Sequence, residues 1–328
     1  MKAKTAPQVR RLKRLILRQK TSAWTKNYKP ATRATRSEAP SKSQPTIIRN
    51  TQKFGRDLHA LSTTERDALL IALWHPKVID VHEQKVLQPN RSPNPLTNLP
   101  QAKGMQLKEL RGMLDVFDRM GAIDDYPEIR VDIDASGERI GVPGLYEGDV
   151  LLYLQDDQGP YCINWTIKRT KDQFRLKNLE DLEFLQSTGD RRKVDLRHEA
   201  EAIYYADVDI PTYQVTSDDF NQNVMKNLRL AYPWYSRSPE TLKKYINSAE
   251  LLINASYGNG DSPFDLGVYF CRKRGITFEE WKHILYTILW TRTIRFDLTS
   301  PFLIDFPVKI APIDTADRFD NLLSRGPA

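Results

Sequence analysis

The sequence predicts an α/β fold: a mixed α/β core followed by a mainly helical C-terminal region. Three observations carry this. A capped apolar helix at residues 61–76 runs into an alternating strand at 78–84. Two strand patterns, at 149–154 and 161–168, are joined by the turn sequence DDQG. Beyond residue 216 the pattern becomes a succession of helices with cap residues at their starts.

In LSTTERDALLIALWHP, Leu69, Leu70, Ala72 and Leu73 suit a helix of about three turns. Ser62 and Glu65 stand at the capping-box spacing, and Pro76 stops the helix. VIDVHEQ then alternates apolar and polar positions. Residues 88–104 form a Pro/Asn-rich loop, and 105–120 predict a helix ending at Gly121. Because strand side chains alternate, Tyr161, Ile163, Trp165 and Ile167 share one face, and Cys162, Asn164, Thr166 and Lys168 the other. A helix around 198–206 and a strand around 211–216 complete the core.

The first C-terminal helix starts with Ser217 or Asp218 as cap, and the second with Ser238 and Pro239. The third ends at Gly275, and Thr277 with Glu280 repeats the capping box before the fourth. IRFDLTS and FLIDFPVKI, on either side of Pro301, predict a β-hairpin. Helix, helix and hairpin is the order of a winged-helix unit, so a domain boundary is expected near 217.

Charge divides the chain differently. Residues 1–53 hold fifteen Lys or Arg and one acid, Glu38, whereas the other 275 residues hold 34 basic and 41 acidic side chains. Residues 9–20 suit a short basic amphipathic helix with Leu12, Leu15 and Ile16 on one side. The stretch 29–45 has too few apolar groups to offset its ordering entropy and is expected to be disordered when free. Such a cationic arm neutralises phosphates without sequence preference. Its charge density, with Trp24 and Tyr28 interspersed, favours nucleic acid over a solvated or targeting tail. Arg10, Arg11, Lys13, Arg14, Arg18 and Lys20 are the candidate DNA contacts. The expected organisation is a basic, largely disordered DNA- or partner-binding tail at 1–53, a core domain at 54–216 and a helical domain at 217–328.

Several classes are excluded. No run of about 18 apolar residues offers a membrane span, and no apolar segment at the N-terminus resembles a secretory signal. Cys162 and Cys271 suit a reducing compartment. The histidines and cysteines form no zinc spacing, and no phosphate-binding glycine loop, nucleophile elbow or dinucleotide fingerprint occurs.

Phosphodiester hydrolysis needs an activated water and a stabilised anionic transition state. Mg²⁺ on carboxylates supplies both, with a lysine to orient the water. Glu65 on a helix, Asp149 at a strand start and Lys168 at the end of the adjacent strand fit that pattern, since the last two meet at the open end of the hairpin. Singly, each also has an ordinary role: Glu65 as a helix cap, Asp149 as a turn residue and Lys168 as a solvated strand end.

The stretch GRDLHALSTTERDALLIALWHPKVIDVHEQ, residues 55–84, resembles the opening of the TnsA endonuclease family of heteromeric transposases. In that family a Leu-Ser-x-x-Glu helix precedes a Val-x-Asp-(Ile/Val)-x-Glu-Gln strand. GDVLLYLQDDQGPYCINWTIK is similar to its Asp-strand-turn-strand-x-x-Lys block. EAEAIYYADVDIPTYQVTSDDFNQNVMKNLRLAY is similar to the helix, Ile-Pro strand and helix that follow. The likeness covers roughly residues 54–230.

The resemblance implies a restriction-endonuclease-like core with Glu65, Asp149 and Lys168 as catalytic residues and a winged-helix-like C-terminal domain. It implies a Mg²⁺ cofactor, with Mn²⁺ able to replace it in vitro, and a further acid near the site at Glu201. It also implies a DDE-type transposase partner (TnsB-like), an AAA+ ATPase regulator (TnsC-like), transposon-end DNA as substrate and a bacterial, nucleoid-associated cytoplasmic location. Thr166 stands where the family carries Gln or an acid. The expected metal donors are therefore Glu65 and Asp149, with Thr166 or the backbone carbonyl of Ile167. The spacing from Glu65 to Asp149 is longer than the family's, which places an insertion within 88–145. The alternative reading is a non-catalytic DNA-binding and assembly factor that recruits the regulator.

Overall fold

The computed structural model describes residues 7–19, 23–41, 43–132, 139–174 and 190–326, apart from the side chains of Asn50 and residues 190–195. Its centre is a four-stranded mixed sheet in the order β10-β9-β8-β3. Strands β3 (Val78–Glu83), β8 (Val150–Asp156) and β9 (Gly159–Ile167) pair antiparallel; β10 (Thr212–Val215) lies parallel to β9. The run Val150–Leu154 is buried throughout, as expected of a strand covered on both faces.

The predicted alternation is borne out. Leu152, Leu154, Tyr161, Ile163, Trp165 and Ile167 enter one core, together with helix α2 (Thr63–Trp74) and the C-terminal helices. Leu151, Tyr153 and Cys162 enter a second core with α3 (Met113–Arg119) and α4 (Asp190–Ala206). Helices thus sandwich the sheet, a mixed α/β arrangement.

Helix α2 starts as the sequence predicts, with Ser62 Oγ accepting from the Glu65 amide at 3.1 Å. The reciprocal half of the capping box is not made, because the Glu65 carboxylate accepts instead from the Leu61 amide at 2.9 Å. Helix α3 is half the predicted length. Gly112 adopts φ +102 and packs so close to Pro89 and Asn90 that a Cβ would lie 2.5 Å from backbone atoms, so the helix begins only after it. Residues 88–145, the expected insertion, also hold the hairpin β5 (Glu128–Asp132) and β6 (Arg139–Pro143), and a short pair, β4 (Val86–Leu87) with β7 (Tyr146–Glu147), joins the chain on either side of them.

The basic N-terminal segment differs most from expectation. Helix α1 (Pro7–Gln19) buries Val9, Leu12 and Leu15, while Ile16 is exposed. The stretch 29–45, expected to be disordered, is packed, with Ala31, Thr32 and Ala34 buried, as is Tyr28 just before it. The backbone of residues 25–31 is tied to β3 and its extension: Thr25 N–H donates to Asp80 at 2.7 Å and Ala31 N–H to the Gln84 carbonyl at 3.2 Å. Tyr28 Oη donates to the Glu83 carbonyl at 2.8 Å. Glu38 takes both Arg18 nitrogens, at 2.6 and 2.8 Å. A few anchors, one of them aromatic, thus offset an entropy cost that composition alone judged too large. Strand β1 (Thr46–Thr51) pairs with β2 (Arg56–Ala60), so one hairpin straddles the expected boundary at 53.

The C-terminal helices are α5 (Gln222–Ser236), α6 (Ile246–Ser256), α7 (Pro263–Arg274) and α8 (Phe278–Thr291). The last two carry full capping boxes, at Ser262 and Thr277, and Gly275 ends α7 in the left-handed conformation. Asn221, rather than Ser217, caps α5, and a 3-10 turn (Glu240–Tyr245) precedes α6. The predicted late hairpin meets at a single bridge, Phe296 with Ile310, because Pro301 and Pro307 cannot donate to a ladder. The C-terminus closes over the sheet instead: Trp165 Nε1 donates to the Leu322 carbonyl at 2.8 Å and Tyr161 Oη to that of Leu323 at 2.7 Å. One continuous core therefore crosses the expected boundary near 217.

Candidate active site

Asp149 precedes β8 and lies beyond the last ladder pair, Val150 with Trp165. Its Oδ2 accepts from the Ile167 amide at 2.7 Å, so the carboxylate continues the β8–β9 pairing where the strand itself stops. Lys168, one residue further on, brings Nζ to 4.0 Å from the same oxygen. The Lys168 amide donates to the Val215 carbonyl on the opposite side. By alternation, the Ile167 carbonyl then faces the Asp149 side, past the end of the ladder.

Glu65 reaches this place from the first turn of α2. Its Oε2 accepts from Leu61 N–H and from Gln84 Nε2, each at 2.9 Å. Gln84 is locked between the elements: its amide donates to the Asp149 carbonyl at 2.9 Å, and its own carbonyl accepts from Ala31. It holds φ +46, a left-handed conformation that costs a non-glycine residue about 1–3 kcal/mol and concentrates at functional sites.

Glu201, from α4, is fully buried against the Asn164 face of β9 and accepts from Asn164 Nδ2 at 3.0 Å. Gly148 permits that approach, since a Cβ there would lie 2.9 Å from Glu201 Oε1. Thr166 is buried two residues along, on the same face as Asn164.

These charges act on one another. Burial, then the Asp149 charge, pushes the Glu65 carboxyl well above the usual carboxylate range; the Leu61 amide, Ser62 and Lys168 oppose this only in part. Glu201 is pushed up by the same two causes, against Arg197, Asn164 and Lys168. His198, beside Lys168 and Arg197, is held down to about 4, chiefly by burial, and is neutral at physiological pH. Three carboxylates and one lysine thus form a single electrostatic unit with a deficit of positive charge.

Among the described residues, no group of three His, Cys, Asp or Glu side chains stands ready to enclose a metal ion. The donors that converge are nevertheless hard oxygens, the class that Mg²⁺ takes. Glu201 Oε2 and Gln84 Oε1 are buried without a hydrogen-bond partner. Unpartnered oxygens beside two carboxyls held above their ordinary range are of the chemistry that a divalent cation would take.

Glu65, Asp149, Lys168, Glu201, Thr166 and Ile167 are therefore brought to one end of the β8–β9 pair. The N-terminal cations are not. Arg18 is committed to Glu38, Arg11 to Glu147 at 2.5 Å, and Arg14 approaches Glu38 at 3.9 Å. Arg10 is exposed on α1, Lys13 borders a cavity beneath that helix, and Lys20 lies outside the described residues. Sequence reasoning left out the roles of Gln84, Asn164 and Arg197. Asn164 carried a usable signal, as a polar residue inside an otherwise apolar strand.

Compared with known proteins, the chain matches no family model and no curated sequence.

Proposed function

We propose that this chain is a Mg²⁺-dependent DNA endonuclease, the TnsA-like subunit of a heteromeric transposase that hydrolyses the 5′ strand at transposon ends. The observation that carries the reading is the convergence of Glu65, Asp149 and Glu201 with Lys168 at the open end of a β-hairpin. In this reading the core is restriction-endonuclease-like and the C-terminal helices form a winged-helix-like unit. The partners are a DDE-type transposase and an AAA+ regulator.

Glu65 and Asp149, with the Ile167 carbonyl, would hold the ion, and Glu201 supplies the carboxylate that Thr166 lacks. When bound, Mg²⁺ lowers the pKa of a coordinated water and offsets phosphate charge. Lys168, held beside Asp149, orients the attacking water and stabilises the charge that builds on the phosphoryl oxygens. Gln84 fixes one Glu65 oxygen and leaves the other free. Asn164 does the same for Glu201.

Strand-resolved cleavage of element-end DNA in Mg²⁺, with transposase and ATPase present, tests the reading. Wild type is expected to cut the 5′ ends and Asp149→Ala to leave them intact. Equal cutting by both moves the activity elsewhere. Absence of 5′ cutting by either, while the transposase still cuts its own strand, favours the assembly-factor reading.

A further inference from the structure

Beneath α1 lies a cavity of about 660 Å³. Its size falls within the roughly 300–1,000 Å³ of small-molecule sites. The lining is chiefly apolar and aromatic: Leu12 and Leu15 of α1, Trp24, Val142 and Leu145 of the insertion, and Tyr204 of α4. Two cations, Lys85 and Lys13, border it, and among the described residues no Asp or Glu does.

Lys85 is the unusual member. It follows Gln84, is partly buried and lines the cavity. Among the described residues its ammonium makes no hydrogen bond or ion pair; its nearest partner is the Tyr28 ring, 5.7 Å away. Asp80, the closest acid that acts on it, is occupied by the Thr25 and Val81 amides and by His82. Burial pulls the Lys85 amine down to about 8. An enclosed ammonium without a counter-ion is costly unless an anion joins it. Trp24 Nε1, another buried donor at the cavity wall, also lacks a partner.

We propose that this cavity binds an organic anion with an apolar body, a carboxylate on a chain of moderate length. Its charged group pairs with Lys85 and its tail lies along Leu12, Leu15 and Leu145. The site owes nothing to the nuclease reading, because no residue assigned to hydrolysis lines it.

Calorimetric titration of the full chain with decanoate, decanol and decyltrimethylammonium tests the assignment. Wild type is expected to bind decanoate one-to-one, at least about tenfold more tightly than decanol, the discrimination a buried ion pair supplies, and the cation not measurably. Lys85→Met removes the preference for decanoate and keeps decanol binding. Leu12→Trp fills the cavity and weakens both ligands. Decanoate binding no tighter than decanol, or absent up to about 1 mM, overturns the proposal. So does a folded Lys85→Met variant that binds decanoate as wild type does. Should Lys85→Met not fold, wild-type discrimination together with the Leu12→Trp result decides.

Discussion

Two consecutive residues at the end of β3 stand in two different electrostatic settings. Glu83, wholly buried, is matched by Arg56 through two hydrogen bonds, at 2.7 and 2.8 Å, and also accepts the His59 amide. One residue later, Gln84 supports an acid cluster whose charges are not matched. Charge is buried in both regions, and only in the first is it matched by an opposite charge in direct contact. A closed pair holds strands together and offers nothing to a ligand. An open cluster of like charges stores repulsion that an ion can relieve, the pattern by which perturbed carboxyls mark functional sites.

The comparison can be broken at its strongest point first. Glu83→Ala leaves the Arg56 guanidinium buried without its partner and is expected to cost about 3–5 kcal/mol, read by urea unfolding. A loss below about 1 kcal/mol would mean that the pair is not structural.

The open cluster should behave in the opposite way. Lys168→Ala is expected to leave the melting temperature nearly unchanged while 5′-end cleavage falls about 10²-fold or more. Cleavage within about threefold of wild type removes the lysine from the reaction.

A pH series sharpens the difference between the regions. The Glu65 and Glu201 carboxyls stand above their ordinary value of 4.5, at about 7, so the folded state prefers them protonated. Their contribution to stability is fully present below pH 4.5 and is lost as pH rises to about 7. Wild type should therefore melt lower at pH 8 than at pH 5.5. Glu201→Gln should flatten that decline and gain about 1–2 kcal/mol at pH 8. Millimolar Mg²⁺ should reverse the decline in wild type alone. A decline of equal depth in Glu201→Gln would place the repulsion elsewhere.

The smallest effect concerns a closed pair nearer the surface. Arg18 holds the Glu38 carboxyl down to about 2, so this pair stabilises the fold above the ordinary carboxylate value and is lost as pH falls through 2. Glu38→Ala is expected to cost about 1 kcal/mol and to expose residues 23–41 to limited proteolysis without lowering the main melting transition. Unchanged proteolysis would show that Tyr28 and Ala31 anchor the segment by themselves.

By itself, the sequence determined the local elements of this protein. Caps, proline stops and period-two alternation are written in neighbouring residues, so α2, β3, the β8–β9 hairpin and the boxes at Ser262 and Thr277 were legible. Glu65, Asp149 and Lys168 were legible as residue types at suggestive places. Their convergence was not, because it depends on Gln84, just beyond β3, which bonds both the Glu65 carboxylate and the Asp149 carbonyl. Tertiary structure also decided the fate of the basic segment. Composition measures how little it can bury by itself, whereas Glu38 closes on Arg18 within the segment and the body supplies the Glu83 and Gln84 carbonyls as partners. The truncation of α3 at Gly112 and the merging of the C-terminal helices into the sheet's core have the same origin: each turns on contacts between residues distant in the chain, which no local pattern encodes.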